Sequence, residues 1–243
     1  MFENKNVVIL GMARSGYEVA KLLSKYTKNI VVNDMKEQQD KEHLKELKSL
    51  GVKVILGTHP EEIINKNVDF LIKNPGIRND HVYVKKAEKL NIPIINEVEV
   101  AYLLLPKDIT LIGITGSNGK TTTTSIIYEI IKESGKRCHL TGNIGFPLSG
   151  FVDKIKPKDI IVMEVSIQQL CNLKKFKTDI SVLTNIYEAH LDFVGCFDNY
   201  INMKKRIFNH HTKADYAILN YDNADVIRIS NDILSKKGFY YTR

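Results

Sequence analysis

Cysteine is scarce: Cys138, Cys171 and Cys196 are the only three in 243 residues. An odd number at wide spacing excludes a disulfide framework and shows no zinc-ligand pattern, so reduced thiols in a cytoplasmic protein are expected. No apolar run approaches the ~20 residues of a membrane-spanning helix. The opening Met1-Phe2-Glu3-Asn4-Lys5 lacks the apolar core of a secretory signal. Internal repeats and low-complexity tracts are missing too. Acidic residues are in the minority, 28 against 35 Lys and Arg, for a net charge of +7. The basic excess is scattered, with Lys41, Lys45, Lys48, Lys85, Lys86 and Lys89 interleaved with glutamate. No RNA-binding aromatic motif accompanies it. A solvated basic surface is therefore expected, with neither nucleic-acid binding nor membrane insertion.

What is present is the composition of a globular protein. Hydrophobic residues make up 43% and charged residues 26%, enough core to exclude general disorder. The length suits one large domain or two ordinary ones.

The first half alternates apolar strands with amphipathic helices. Strands are expected over 6–10, 29–33, 52–56, 68–72 and 93–95, and helices from Gly16 to Lys25 and over 40–50, 82–90 and 97–105. That alternation implies a parallel sheet wrapped by helices. Gly11-Met12-Ala13-Arg14-Ser15-Gly16 follows the first strand with the G-x-A-x-x-G form of a dinucleotide fingerprint. Asp34, at the end of the next strand, is placed to bind a ribose hydroxyl. Alone the motif is weak, and the loop equally suits the diphosphate of a sugar nucleotide. The turn Asn74-Pro75-Gly76-Ile77 ends a strand where open α/β sheets bind ligands.

The strongest signal lies further on. An apolar run over 109–114 leads into Gly116-Ser117-Asn118-Gly119-Lys120-Thr121-Thr122, and a helical stretch follows over 121–132. This is a strand, a phosphate loop and a helix. Glycines let backbone N–H groups close around phosphate oxygens, and the helix start adds partial positive charge. Lys120 is placed to reach terminal phosphates, and the Thr121 hydroxyl to hold Mg²⁺. Ile114 stands where the strict Walker pattern expects its first glycine, and Gly116 comes two residues later. A tight strand-to-helix turn is the plain alternative. A domain boundary is expected at Pro106-Lys107-Asp108, dividing the chain into 1–105 and 106–243. Beyond it come a Gly-rich loop at 141–147, strands at 159–165 and 179–184, a helix at 197–209, and a last clear strand at 215–219.

These motifs resemble the bacterial Mur ligases, which build the peptide of peptidoglycan. The resemblance rests on Gly116 to Thr122, Gly142-Asn143-Ile144-Gly145, Glu164-Val165-Ser166, the stretch from Asn185 to Asp192 with His190-Leu191-Asp192, and Tyr200 to Ile207 with Lys204. In the first half, Gly11 to Gly16, Asp34 and Asn74 to Ile77 are similar to the member that adds D-glutamate. Where the family usually reads Glu-x-Ser-Ser-Phe-Gln-Leu, this sequence has Ile167 and Gln168 in place of a serine and an aromatic. That departure puts the packing of the loop in doubt.

The resemblance implies a Rossmann-like parallel-sheet α/β domain that binds a UDP substrate, followed by part of a P-loop-type α/β domain that binds ATP. The family's C-terminal amino-acid-binding domain is expected to lie outside this chain. The implied reaction is the ATP-dependent joining of D-glutamate to UDP-N-acetylmuramoyl-L-alanine through an acyl phosphate, by a monomer. The implied Mg²⁺ ligands are Thr121, Glu164, His190 and Lys204, the last as a carbamate formed with CO₂. Without the resemblance, a lone His at a strand end and a helix lysine beside Lys205 would be packing or surface residues. Asn143 is implied to orient the muramoyl substrate, and Gly11, Met12, Ala13, Arg14, Ser15, Gly16, Asp34, Asn74, Pro75 and Gly76 to hold its UDP part. Arg14 pairing with the diphosphate and Arg14 in solvent are both open. Two other readings stand beside this one: a non-catalytic nucleotide-binding module, and a nicotinamide-dependent dehydrogenase, which leaves Lys120, Glu164 and His190 unexplained.

Overall fold

The computed structural model describes residues 1–241. Its contacts divide the chain into two compact units. The first comprises Met1–Leu104 with the short stretches Pro147–Val152 and Asn172–Lys174; the second takes Leu105–Phe146, Asp153–Cys171 and Lys175–Arg243.

The first unit runs β1 (Val7–Leu10), α1 (Arg14–Leu23), β2 (Ile30–Asp34), α2 (Lys41–Ser49), β3 (Lys53–Leu56), β4 (Phe70–Lys73), α3 (Val82–Lys89), β5 (Ile94–Ile95) and α4 (Glu97–Leu104). Its five strands are parallel, in the order β3-β2-β1-β4-β5. All four residues of β1 are buried because both faces of the sheet are covered. Val7 and Ile9 pack on one face with Tyr17, Ala20, Leu23 and Leu47. Val8 and Leu10 pack on the other with Leu71, Tyr83, Val84 and Ala87. Strand order reverses between β1 and β4, which opens a crevice at their carboxyl ends. The loops leaving those two strands are the Gly11 loop and the Asn74 turn.

The second unit runs β6 (Thr110–Thr115), α5 (Lys120–Glu133), β7 (Cys138–Gly142), β8 (Ile160–Glu164), α6 (Ile167–Leu170), β9 (Ile180–Leu183), α7 (Leu191–Val194), α8 (Phe197–Lys205), β10 (Tyr216–Asn220), α9 (Ala224–Ser230) and β11 (Lys236–Tyr240). Six parallel strands lie in the order β11-β10-β9-β6-β8-β7. Ile112, Ile114, Val162 and Val182 form a core against Ile127, Tyr128 and Ile131 of α5. β6 sits between β8 and β9, so the loops that follow these three strands emerge side by side.

The fold differs from the sequence expectation in two strands, β7 and β11, and in three helices, the short α6 and α7 and the later α9. The strand at 215–219 is not the last, because α9 and β11 follow it, and β7 precedes the Gly-rich loop at 141–147. Both added strands are sheet edges. β11 is largely exposed and begins Lys236-Lys237-Gly238, and the first three residues of β7 are half-buried. An edge strand has one neighbour and needs little apolar surface, so its hydrophobic pattern is faint.

Candidate functional site

Strand register builds the site of the second unit. Glu164 ends β8 opposite Ile114 of β6 on one side and Gly142 of β7 on the other. Its carboxylate, 1% exposed, therefore lies between the phosphate loop and the loop that begins at Asn143. Glu164 Oε2 accepts a hydrogen bond from Thr121 Oγ1 at 2.7 Å, and Oε1 accepts one from Asn143 Nδ2 at 2.7 Å. Two residues from separate loops thus meet on the carboxylate of a third, and all three were singled out from the sequence.

The phosphate loop is held from β9. Ser117 N–H donates to Asn185 O, and Asn118 N–H to Asn185 Oδ1 at 2.9 Å. Thr184 Oγ1 donates to Asn118 O at 2.6 Å. Ser117 Oγ and Tyr200 OH are hydrogen-bonded at 2.8 Å. Two loop amides are thus spent on holding the loop's shape. The N–H groups of Lys120, Thr121 and Thr122 open α5 and have no partner inside the helix. Gly119 takes φ +78°, a left-handed conformation that turns the chain into that helix.

Two lysines converge on one carbonyl. Lys120 Nζ donates to Gly116 O at 2.9 Å and Ser117 O at 2.8 Å. Lys204 Nζ donates to Gly116 O at 2.8 Å and Thr115 Oγ1 at 3.2 Å, and lies 5.4 Å from the centre of the Tyr200 ring. Burial pushes the pKa of both ammoniums down. For Lys204 the value falls to about 7, with the charge of Lys120 adding to the burial and Glu164 opposing it. Burial also raises the Tyr200 phenol, against the bond to Ser117.

His190 stands apart. It is exposed at the N-cap of α7, with φ +52°, and no described hydrogen bond or ion pair joins it to Glu164 or Lys204. Among the described residues no three His, Cys, Asp or Glu side chains gather as a metal site. The unusual Ile167-Gln168 sequence packs well: Ile167 is buried, and Ser166 and Gln169 close a capping box that starts α6.

In the first unit a cavity of about 360 Å³ opens at the crevice between β1 and β4, bordered by Gly11, Asp34 and Asn74. Gly16 packs so closely on the preceding loop that a Cβ there would lie 1.9 Å from Gly11 O. Asn74 Nδ2 donates to Ser15 Oγ at 3.0 Å. Asp34 Oδ2 accepts from Met12 N–H at 2.6 Å and Oδ1 from Lys36 N–H at 2.8 Å, so the carboxylate fastens the glycine loop. Arg14 is exposed at the start of α1. The same cavity is lined by Asn33, His59 and His81, which sequence reasoning passed over. The one signal available for His59 was its place just after a strand, in Thr58-His59-Pro60.

Comparison with known proteins agrees with both halves. The Mur ligase middle domain matches residues 114–240, and the MurD-like N-terminal domain of Mur ligases matches residues 5–96. A UDP-N-acetylmuramoylalanine–D-glutamate ligase of Staphylococcus aureus (strain MRSA252) is 42% identical over 241 residues, 99% of this chain and 53% of the relative. The chain spans about half the length of the curated relatives it matches. Among solved structures, a UDP-N-acetylmuramate:L-alanyl-gamma-D-glutamyl-meso-diaminopimelate ligase from Neisseria meningitides superposes with TM-score 0.62 at 13% identity, covering 97% of this chain and 77% of that one. A MurF ligase from Thermotoga maritima in complex with ADP superposes with TM-score 0.52 at 19% identity, covering 98% of this chain and 48% of that one. At such identities the structures speak for the fold: two parallel-sheet α/β units of this kind. With the middle-domain match covering more than half of its residues and the N-terminal match most of the rest, the chain belongs to the Mur ligase family.

Proposed function

We propose that this chain carries the UDP-substrate and ATP parts of a ligase that joins D-glutamate to UDP-N-acetylmuramoyl-L-alanine. The observation that carries the reading is the shared carboxylate: Glu164 bonded to Thr121 at the phosphate loop and to Asn143 on the neighbouring loop. The residue we assign to the nucleotide, Thr121, and the one we assign to the muramoyl substrate, Asn143, both reach that point.

The residues fit ATP and Mg²⁺. The start of α5 offers N–H donors to phosphate oxygens, and Lys120 supplies charge beside them. Thr121 Oγ1 and Glu164 form an oxygen donor pair, the kind a hard cation takes. His190 and Lys204 are proposed to complete the metal ligands, Lys204 as a carbamate. Burial supports that role by lowering the Lys204 pKa to about 7, so that a share of the amine is neutral near that pH, the form that reacts with CO₂. When bound, ATP would supply the phosphoryl group that activates the substrate carboxylate as an acyl phosphate, leaving ADP, and the D-glutamate amine would displace phosphate from it with loss of a proton. Asn143 orients the muramoyl end, and the Gly11 loop with the Asn74 turn holds UDP. Lys120 and the N–H donors at the start of α5 offset the repulsion between the two anions, and Mg²⁺ would add positive charge there when bound.

Phosphate release from ATP, with UDP-N-acetylmuramoyl-L-alanine and D-glutamate present, tests the reading. Release that depends on both substrates is expected. Release with another amino acid in place of D-glutamate displaces that assignment. Binding of both nucleotides without release leaves a non-catalytic binding module. NADH binding without UDP-sugar binding overturns the ligase reading.

A further inference from the structure

The cavity at the β1–β4 crevice is walled on one side by His59, in the loop after β3, and His81, the N-cap of α3. Their Nε2 atoms are 3.3 Å apart, and the rings meet edge to face with centres 4.9 Å apart. The position of every ring proton follows from the neighbours. Asn33 Nδ2 donates to two carbonyls, Ile55 O at 3.1 Å and Thr58 O at 2.7 Å, so the amide cannot be flipped and Oδ1 faces His59. His59 Nδ1 must therefore carry the proton it donates to Asn33 Oδ1. At the other end, Tyr83 N–H donates to His81 Nδ1 at 3.2 Å, so that nitrogen is bare. One proton remains between the two Nε2 atoms, on His81, donated to His59. The pattern holds two ring protons for two rings, so both imidazoles are neutral and all four nitrogens are engaged.

A wall of this kind offers a ligand only its carbon edges and π faces. It has no N–H for a phosphate and no charge. The phosphate donors in this unit lie elsewhere, at the start of α1. We propose that the His59–His81 pair is a neutral aromatic wall against which a planar nucleobase packs, and that protonating the pair breaks the wall and releases the ligand. This rests on the UDP-sugar reading and identifies the side of the cavity that takes the base.

The surroundings support neutrality. Burial lowers the pKa of both rings, and for His81 the neighbouring His59 and the ammonium of Lys73 on β4 act in the same direction. Asp34 at the end of β2 opposes this for His59, and Asp80, just before α3, for His81. Tyr83 of α3 completes the packing: its ring centre is 5.0 Å from that of His59, and its hydroxyl donates to Pro60 O at 2.7 Å. Adding a proton to His59 sets two N–H groups against each other. Adding one to His81 does the same against Tyr83 N–H.

Two measurements on the 243-residue chain test the proposal. The first is long-range ¹H–¹⁵N correlation of the imidazoles at pH 8. A proton on Nδ1 of His59 and on Nε2 of His81 is expected; any other tautomer pair overturns the wall. The second is the affinity for UDP-N-acetylmuramoyl-L-alanine between pH 8 and 5. Its diphosphate is esterified at both ends and does not titrate there. Affinity should fall about tenfold once the histidines protonate, on the acid side of the ordinary imidazole value because burial lowers both. His81→Asn keeps a side-chain acceptor for Tyr83 N–H, so α3 stays capped, and a thermal melt at pH 8 checks its fold. This variant should bind several-fold more weakly at pH 8 and lose most of the pH dependence. Affinity independent of pH in the unmodified chain, with binding intact, overturns the wall alone. No binding at any pH, with the tautomers as expected, overturns the UDP-sugar reading and the proposal with it.

Discussion

The two glycine loops have the same frame and opposite surroundings. Each leaves the first strand of a parallel sheet and opens a helix. The Gly11 loop is fastened by a carboxylate and an amide, through Asp34 to Met12 N–H and Asn74 to Ser15. The Gly116 loop carries two ammoniums on one carbonyl, with Glu164 buried nearby. The shared frame fixes where N–H donors point. The side chains around it decide what charge the loop tolerates. The first loop spends its polar groups on closing itself, and the second keeps cations that are costly to bury.

Substitutions at the glycines break this comparison hardest. Gly16→Ala drives a Cβ into Gly11 O and should cost about 3 kcal/mol or more in urea unfolding. Gly119→Ala meets nothing within 4 Å and carries only its left-handed φ, so about 1–2 kcal/mol is expected. Equal losses would show the close contact at Gly16 to be soft. Next in size, Lys204→Met should raise stability by about 1–3 kcal/mol, because a buried ammonium is replaced by an apolar chain of similar volume. A lower melting midpoint would mean that the bonds to Gly116 O and Thr115 Oγ1 outweigh desolvation.

Tyr200→Phe keeps the ring beside Lys204 and removes the hydroxyl from Ser117; a loss of about 1 kcal/mol is expected in the same unfolding assay. The smallest effect compares ion pairs across pH. Arg137, and to a lesser degree Lys156 N–H and His139, hold the Asp159 carboxyl below the usual range; Lys5 and Asn6 N–H do so for Asp69. A carboxyl with a depressed folded pKa adds stability above the ordinary value near 3.9, and that stability is lost as pH falls through the folded value. Asp159 is 3% exposed and Asp69 29%, so Asp159→Asn should flatten the acid side of the stability curve more than Asp69→Asn does. The reverse order would rule out burial as the reason.

Central strands were legible because their residues are apolar on both faces, as in Val7-Val8-Ile9-Leu10 and Leu111-Ile112. β7 and β11 were not, since an edge strand carries little of that signal. Thr121 stood out through the phosphate-loop pattern, and Glu164, Asn143 and Lys204 through the family resemblance. That Thr121 and Asn143 meet on one carboxylate follows from the register of β6, β7 and β8, which no local pattern encodes. The ribose role read for Asp34 came from strand-end position; its bonds to Met12 and Lys36 N–H show the carboxylate fastening the loop.

The sequence by itself determined the alternation of elements, the two glycine loops and the family, because these rest on local periodicity and short motifs. Tertiary structure alone decided three things: the sharing of Gly116 O by Lys120 and Lys204, the burial that lowers Lys204, and the neutral His59–His81 pair. Each depends on groups distant in sequence, Lys204 and Gly116 or His59 and His81, being brought within hydrogen-bond distance in a low-dielectric interior. There the neighbours, and not the residue type, set where the protons lie.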